Sequence, residues 1–357
     1  MNKIFKIGCL HPYIEDRLAD AKKGKYPKSH YWGCDAILKN SKWNASLIST
    51  SQYPIPILLE KLVNRKFFSS SPGLSIELTA LRASRKYDLI YSVCGPLKLA
   101  RIFKKTKIAP WVFRMPERND KTTFGTYGNQ NLSRHSGFFC LTPIAENKFS
   151  KFAFSKFIPW CVDLKLFDGK PSIAPPNKPF FLATGKTGRD YLTLVKSAQY
   201  VDAEIRIIGP IEQKPTNLPK NIRWINTSAN PPDISIDYEM LRKWYSQCLA
   251  VCIPLLGDPN DTCGYTNLLE GMAMSKPVLM TESGSLHVNP VKRGFGKLIK
   301  PGDSMGWSSS MKSVMDNPTF YKNIGQKGRQ IAEKEFTIDS FNSRIVEFLT
   351  VICTNKK

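Results

Sequence analysis

No apolar run in this sequence reaches the roughly 18 residues that a membrane-spanning helix requires. The opening MNKIFKIGCLHPYIEDR meets charged side chains too early for a secretory leader, so a cytoplasmic protein is expected. No cysteines show the C-x2-C spacing of a zinc site. The nine cysteines are scattered, and Cys9, Cys94, Cys140 and Cys252 fall inside apolar segments, which reads as buried thiols in a reducing compartment. Internal repeats and low-complexity tracts are also missing. Acidic side chains are scarce: 29 stand against 52 lysines and arginines, a net charge of +23. The first 165 residues hold 28 basic and 11 acidic side chains, so most of the excess lies there. Such a field attracts polyanions, whether nucleic acid, anionic lipid or phosphorylated substrates. A nucleic-acid reader would add a recognition motif, and neither a zinc-finger spacing nor an RNP-like segment is present. Nucleic acid is therefore not an expected partner.

What is present is the make-up of a folded protein: 357 residues, 42% hydrophobic and 23% charged. That length exceeds one ordinary domain. Short apolar runs alternate with amphipathic ones, the pattern of β-α units around parallel sheets. Strands are expected at Ile4–Cys9, Ala45–Ser49, Leu89–Val93, Trp111–Arg114 and Phe138–Leu141, with Phe157–Pro159 closing the half. The stretch DGKPSIAPPNKP carries four prolines and no apolar period, so it reads as a linker. The pattern restarts with strands at Phe180–Thr184, Ile205–Ile208, Ile222–Trp224, Val251–Pro254, Val278–Thr281 and Lys297–Ile299. This gives an α/β chain with a first domain over 1–168, a linker over 169–179 and a second domain over 180–337. The closing segment carries Phe341, Ile345, Phe348 and Leu349 on one helical face.

Two stretches of the second domain carry candidate chemistry. In DPNDTCGYTNLLEGMAMSKPVLMT, Gly264 lets backbone approach a ligand closely, and Tyr265, Thr266 and Asn267 open a helix whose first amides suit a diphosphate. One turn on, Glu270 offers a carboxylate for two vicinal sugar hydroxyls. An ordinary capped loop and a solvated helix face explain the same residues. In FFLATGKTGRDYLTLV, Gly185 makes a turn, and Lys186 and Arg189 place two cations beside a helix start, where they suit a diphosphate leaving group. A solvated basic turn is the plain alternative. The Walker spacing is absent, which excludes a P-loop ATPase.

In the first domain, the loop Gly8 to Tyr13 follows the opening strand, and His11 is the candidate general base, or else a packed histidine. Arg114 and Glu117 follow another strand, as ligand contacts or as an ion pair. His30 and Trp32 are acceptor-side candidates, since aromatic faces stack on sugars, with aromatic packing as the alternative. Residues 55–68, IPILLEKLVNRKFF, mix apolar side chains with Lys61, Arg65 and Lys66, a pattern that lies on an anionic membrane surface or packs on a sheet.

LLEGMAMSKPVL, followed by GFGKLIKPGD and DNP, resembles the donor-binding half of group 1 (family 4-like) glycosyltransferases, and FIPWCVDLKLF resembles the segment closing their first domain. The resemblance implies the GT-B fold: two Rossmann-like domains with parallel sheets facing a central cleft, and the final helix, 338–352, crossing back to the first domain. It places Glu270 on the donor ribose, Gly264 to Thr266 against the phosphates, and Lys186 with Arg189 as the basic pair that neutralises the leaving diphosphate. It implies sugar transfer, of the hexosyl type and retaining, from a nucleotide-sugar to a glycan or lipid-linked acceptor in cell-surface polysaccharide or glycolipid synthesis. No cofactor and no metal are expected, since cationic side chains and helix dipoles take that role. The family often carries a glutamate eight residues before the second one; here Thr262 stands there, with Asp261 adjacent. The segment around Arg114 also departs from the histidine-containing one often found at that place. A nucleotide-sugar epimerase of the same fold and a non-catalytic polyanion binder are the competing readings.

Overall fold

The structure, a computed structural model, describes residues 4–12, 14–49, 55–67, 73–103, 105–115, 126–170, 178–227, 236–258, 262–283 and 287–355. Glu117, Asp261, Tyr13 and residues 171–177 of the expected linker lie outside the described residues. The chain forms two compact units: Met1–Ala19 with Ser29–Trp160 and Asp339–Lys357, and Asp20–Lys28 with Cys161–Ile338.

In the first unit the strands are β1 Phe5–Leu10, β2 Trp43–Ile48, β3 Leu89–Ser92, β4 Lys107–Val112, β5 Gly137–Cys140 and β6 Phe154–Phe157. They pair in parallel in the order β2-β1-β3-β4-β5-β6. β3 and β5 are buried at every position, as strands covered on both faces must be, whereas edge strands β2 and β6 alternate between more and less exposed residues. β4 starts and ends earlier than the expected Trp111–Arg114, because it runs through Pro110. That proline is the last residue in register with β3, opposite Ser92, and the register with β5 begins only at Trp111, so a missing amide is tolerated there.

The last helix, Ile338–Thr354, packs on this sheet: Phe341, Ile345, Phe348, Leu349 and Ile352 are buried. Phe341 stacks near Trp111 at 5.6 Å, and the Phe348 ring meets Phe139 edge-on at 5.0 Å. At its C-terminal end, Lys107 Nζ donates to the carbonyls of Ile352 (2.7 Å), Cys353 (3.1 Å) and Asn355 (2.7 Å). One cation thereby satisfies carbonyls that a helix end leaves without partners and meets the negative end of its dipole. Lys107→Met is expected to destabilise the protein by about 1–2 kcal/mol, measured as a lower urea midpoint at unchanged slope.

The second unit holds β7 Phe180–Thr184, β8 Glu204–Pro210, β9 Ile222–Thr227, β10 Val251–Ile253, β11 Val278–Thr281 and β12 Gly296–Ile299. All pair in parallel, in the order β12-β11-β10-β7-β8-β9. Counted from β7, this is the doubly wound order 3-2-1-4-5-6, which reverses between β7 and β10. One face of the sheet is covered by Tyr191, Leu194 and Val195 together with Trp307, Met311 and Val314, all in one buried cluster with Ile205 and Ile207. Both units are Rossmann-like, and the architecture is GT-B. Eight of the nine cysteines are buried, Cys263 is half-buried, and all nine are free thiols.

Candidate functional site

In a doubly wound sheet, ligands bind beyond the strand ends where the order reverses, because the two flanking connections leave in opposite directions there. In the second unit those ends are Thr184 of β7 and Ile253 of β10. Both candidate stretches of the second domain begin at this edge.

After Thr184 the chain turns at Gly185, whose φ of +133° suits only glycine. The Arg189 guanidinium lies over that turn: a β-carbon on Gly185 would stand 2.1 Å from Nη2. Arg189 is buried, and it donates through Nε to the Thr184 carbonyl (3.1 Å), through Nη1 to the Thr187 carbonyl (2.9 Å) and through Nη2 to Asn267 Oδ1. Asn267 Nδ2 in turn donates to Thr184 Oγ1 and to Tyr245 Oη, both at 3.3 Å, and Tyr245 Oη donates to Glu270 Oε2 at 2.8 Å. A single buried network thus runs from the basic turn to the carboxylate. Two further bonds, Leu256 N–H to the Gly188 carbonyl and Asp190 N–H to the Pro254 carbonyl, both 3.1 Å, fasten the loops after β7 and β10 together.

The two helix starts at this edge differ. Asp190 caps the helix Tyr191–Ala198, accepting from Thr193 N–H at 3.1 Å, so a carboxylate already sits at that positive end. The helix Tyr265–Ala273 starts at Gly264, left-handed at φ +86°, and no side chain caps it. A β-carbon on Gly264 would fall 2.7 Å from Ile253 Cγ2, so glycine is what lets this helix start lie directly against the end of β10. Its first amides and the positive end of its dipole are chemically suited to an anion. Thr266 is half-buried beside it, and Tyr265 is buried, its hydroxyl 3.5 Å from His287 Nε2. Thr262 gives its carbonyl to Tyr265 N–H at 3.3 Å.

Glu270 is buried, with its carboxyl pushed up to about 7 by burial, against the pull of hydrogen bonds from Tyr245 and Asn267. A buried carboxyl raised in this way, on a helix with Leu268, Leu269 and Met272, makes Glu270 a candidate binding group.

Of the expected site residues, the structure therefore joins Gly185, Arg189, Gly264, Asn267 and Glu270 in one place. Lys186 is half-buried on the same turn, its carbonyl accepting from Gln213 Nε2 at 2.9 Å. Arg189 serves as a brace, with three of its donor groups committed to protein acceptors. Tyr245, from the helix Tyr238–Gln247, and Thr184 were not marked by any sequence pattern. They enter the network through contacts 22 and 83 residues from Asn267.

The first-unit candidates sit otherwise. His11 is buried beyond the end of β1, its Nε2 2.9 Å from the His30 carbonyl, so that nitrogen carries the proton. Burial lowers His11 to about 4, outweighing the hydrogen bond, and lowers His30 likewise, with the neighbouring His11 charge as a second cause. Trp32, at φ +51°, is stacked on Trp160 at 4.8 Å and meets Trp111, Phe113 and Phe341 edge-on, so one face is covered by protein. His30 packs edge-on against Trp160 at 5.5 Å. Arg114 is exposed. A broad depression of about 610 Å³ lined by Arg101, Asn129, Gln130, Ser133 and Arg134 contains none of the candidate residues. Among the described residues, no group of three or more His, Cys, Asp or Glu is placed to hold a metal ion, and no helix is long and apolar enough to cross a membrane.

No protein-family model matches the sequence. No curated protein matches it either. Solved structures do resemble its fold. A sucrose-phosphate synthase from Thermosynechococcus elongatus superposes with a TM-score of 0.67 at 14% identity, covering 98% of this chain and 99% of that one. A glycosyltransferase from Rickettsia africae ESF-5 gives 0.66 at 14% identity over 99% and 100%. Anabaena HepE, crystallised in complex with UDP-glucose, gives 0.65 at 14% identity over 97% and 100%. A putative UDP-N-acetylglucosamine 2-epimerase from Listeria monocytogenes is similar at a lower TM-score of 0.57 and 12% identity.

Proposed function

We propose that the protein is a glycosyltransferase that moves a sugar, of the hexosyl type, from a nucleoside diphosphate donor to a glycan or lipid-linked acceptor in cell-surface polysaccharide or glycolipid synthesis. The observation that carries this is the edge between β7 and β10. There an uncapped helix start at Gly264 offers amides to a diphosphate, and the buried Glu270 stands further along the same helix, one turn past Thr266, to take ribose hydroxyls. Lys186 supplies positive charge as the glycosidic bond breaks, and Arg189 holds the turn that presents it. UDP complexes of HepE, a protein of the same fold, favour a uridine donor.

On this reading the leaving diphosphate takes up the acceptor proton, and transfer occurs on the same face of the sugar with retained configuration. That chemistry asks no base of His11, and a histidine held near 4 is a poor proton acceptor at neutral pH. The donor serves as substrate, with no further cofactor, and the protein works in the cytoplasm. The epimerase reading would need acid-base carboxylates around the sugar. On this reading Glu270 serves the ribose, which leaves no acid-base carboxylate assigned to the sugar.

Ligand-induced stabilisation across UDP-, GDP-, ADP- and CMP-sugars tests the donor. A ligand at a hundredfold its Kd adds about 2.7 kcal/mol, so one nucleotide class should raise Tm clearly, and Lys186→Ala and Glu270→Ala should remove the rise. No rise with any donor, in folded protein, would overturn the assignment. Release of free epimerised sugar without acceptor would transfer it to the epimerase.

A further inference from the structure

The helix Ile57–Phe67 of the first unit has one face committed to protein and the opposite face bare. Glu60 Oε1 accepts from the Ser75 hydroxyl (2.5 Å) and from Ser75 N–H (3.3 Å), and Asn64 Oδ1 accepts from Leu74 N–H at 2.8 Å. The helix Leu74–Ala83 begins at Gly73, which has no side chain to cap it, so Glu60 and Asn64 provide the acceptors that this helix start lacks. These two residues, four apart, fix which side of Ile57–Phe67 faces inward.

At 100° per residue, Leu58 and Leu62 project diametrically away from Glu60 and Asn64. They are 84% and 70% exposed, and Leu59, beside them, is 49% exposed. The other exposed large apolar residues of this unit, such as Ile102, Ile144 and Val351, stand singly on separate elements, which is ordinary for a protein surface. Three leucines on one helix face are not ordinary. The one acidic residue of the helix is turned inward as a cap, while Lys61 is exposed on the flank of the leucines.

We infer that this face docks on a lipid bilayer containing anionic lipid, with Leu58, Leu59 and Leu62 entering the headgroup boundary and Lys61 meeting anionic headgroups. Charge selects this occupant. The first 165 residues carry 17 more basic than acidic side chains, so a second copy of the chain would be repelled from the same face, whereas an anionic leaflet is attracted by it. The surface belongs to the first unit and goes beyond the transfer reaction. It requires no nucleotide, so it can fail or succeed whatever the donor proves to be.

The test is co-sedimentation of the full chain, without nucleotide, with vesicles of phosphatidylcholine alone and with phosphatidylglycerol added. The wild type should sediment with the anionic vesicles and be released by salt. The Leu58→Ser/Leu62→Ser pair, which keeps the net charge, should bind at least about tenfold more weakly. An Ile144→Ser/Val351→Ser pair, exposed on other elements of the same unit, should bind like the wild type, and unchanged melting curves would show all three proteins folded. Failure of the wild type to bind anionic vesicles, or equal binding by both serine pairs, would overturn the inference. Self-association abolished by the Leu58/Leu62 pair would reassign the face to a second copy.

Discussion

Arg189→Met is expected to produce the largest loss of stability of any single change at the site, about 3 kcal/mol or more, because it strands two buried acceptors and a part-buried one at once. The guanidinium fills the space over Gly185 and serves the Thr184 and Thr187 carbonyls and the Asn267 side chain. Methionine restores much of the volume and none of the donors. Arg189→Lys should fall between, since an ammonium lacks the planar fork that reaches three acceptors in different directions. Lys186→Ala should behave oppositely, changing stability by no more than about 0.5 kcal/mol while removing the response to donor. Urea denaturation of the three variants, with and without the stabilising nucleotide-sugar, separates the two roles. If Arg189→Met kept wild-type stability, the bracing role would be wrong; if Lys186→Ala kept the donor response, so would the phosphate role.

The same pair shows what was legible beforehand. GKTGRD read as two equivalent cations at a turn, and nothing local distinguishes them. The difference arises because Asn267, on a helix 78 residues away, presents its carbonyl oxygen to Arg189 alone. Contacts at such separations follow from the strand order, which local periodicity does not encode. Tyr245 was invisible for this reason: the helix Tyr238–Gln247 carries no motif, and Tyr245 matters only because packing sets it against Glu270. That Glu270 departs from a solvated helix face was legible, since a carboxylate among Leu268, Leu269, Met272 and Met274 is unusual, and the structure buries it. The central strands were legible where burial on both faces leaves continuous apolar runs, as in Phe180–Thr184 and Val278–Thr281. β4 was misplaced because Pro110 reads as a break when its neighbours are unknown. Trp32 looked like a sugar platform, yet Trp160, 128 positions on, covers a face of the ring.

Glu270→Gln should make the protein more stable above pH 7 while weakening donor binding. The Glu270 carboxyl is raised from 4.5 to about 7 by burial. A group whose folded pKa is raised contributes its stability fully below the unfolded value and loses it as pH climbs through the folded one. The wild type therefore gives up stability between about pH 4.5 and 7, roughly 3 kcal/mol for a shift of that size. Glutamine, never ionised, gives up none. Glu77 adds a second loss in the same window: it is buried, accepts from Lys98 and Leu99 N–H at 2.6 and 3.0 Å, and is likewise raised to about 7 by burial. The histidines run the other way. His11, His30 and His135 are lowered by burial to about 4, so each contributes stability above 6.5 that disappears as pH falls through 4. His135 shows why: its Nε2 must accept from Leu97 N–H while Nδ1 donates to the Asn131 carbonyl, a pairing only the neutral ring can make. The two glutamates offset only part of what the three histidines contribute, so the wild-type profile mixes both sets and the informative quantity is the difference between variant and wild type across pH. That difference should be near zero at pH 4.5 and rise to its full value by pH 8, in denaturant midpoints measured without ligand. A flat difference would mean that Glu270 titrates alike in the folded and unfolded chain, and its place in the buried network with Tyr245 would need to be redrawn.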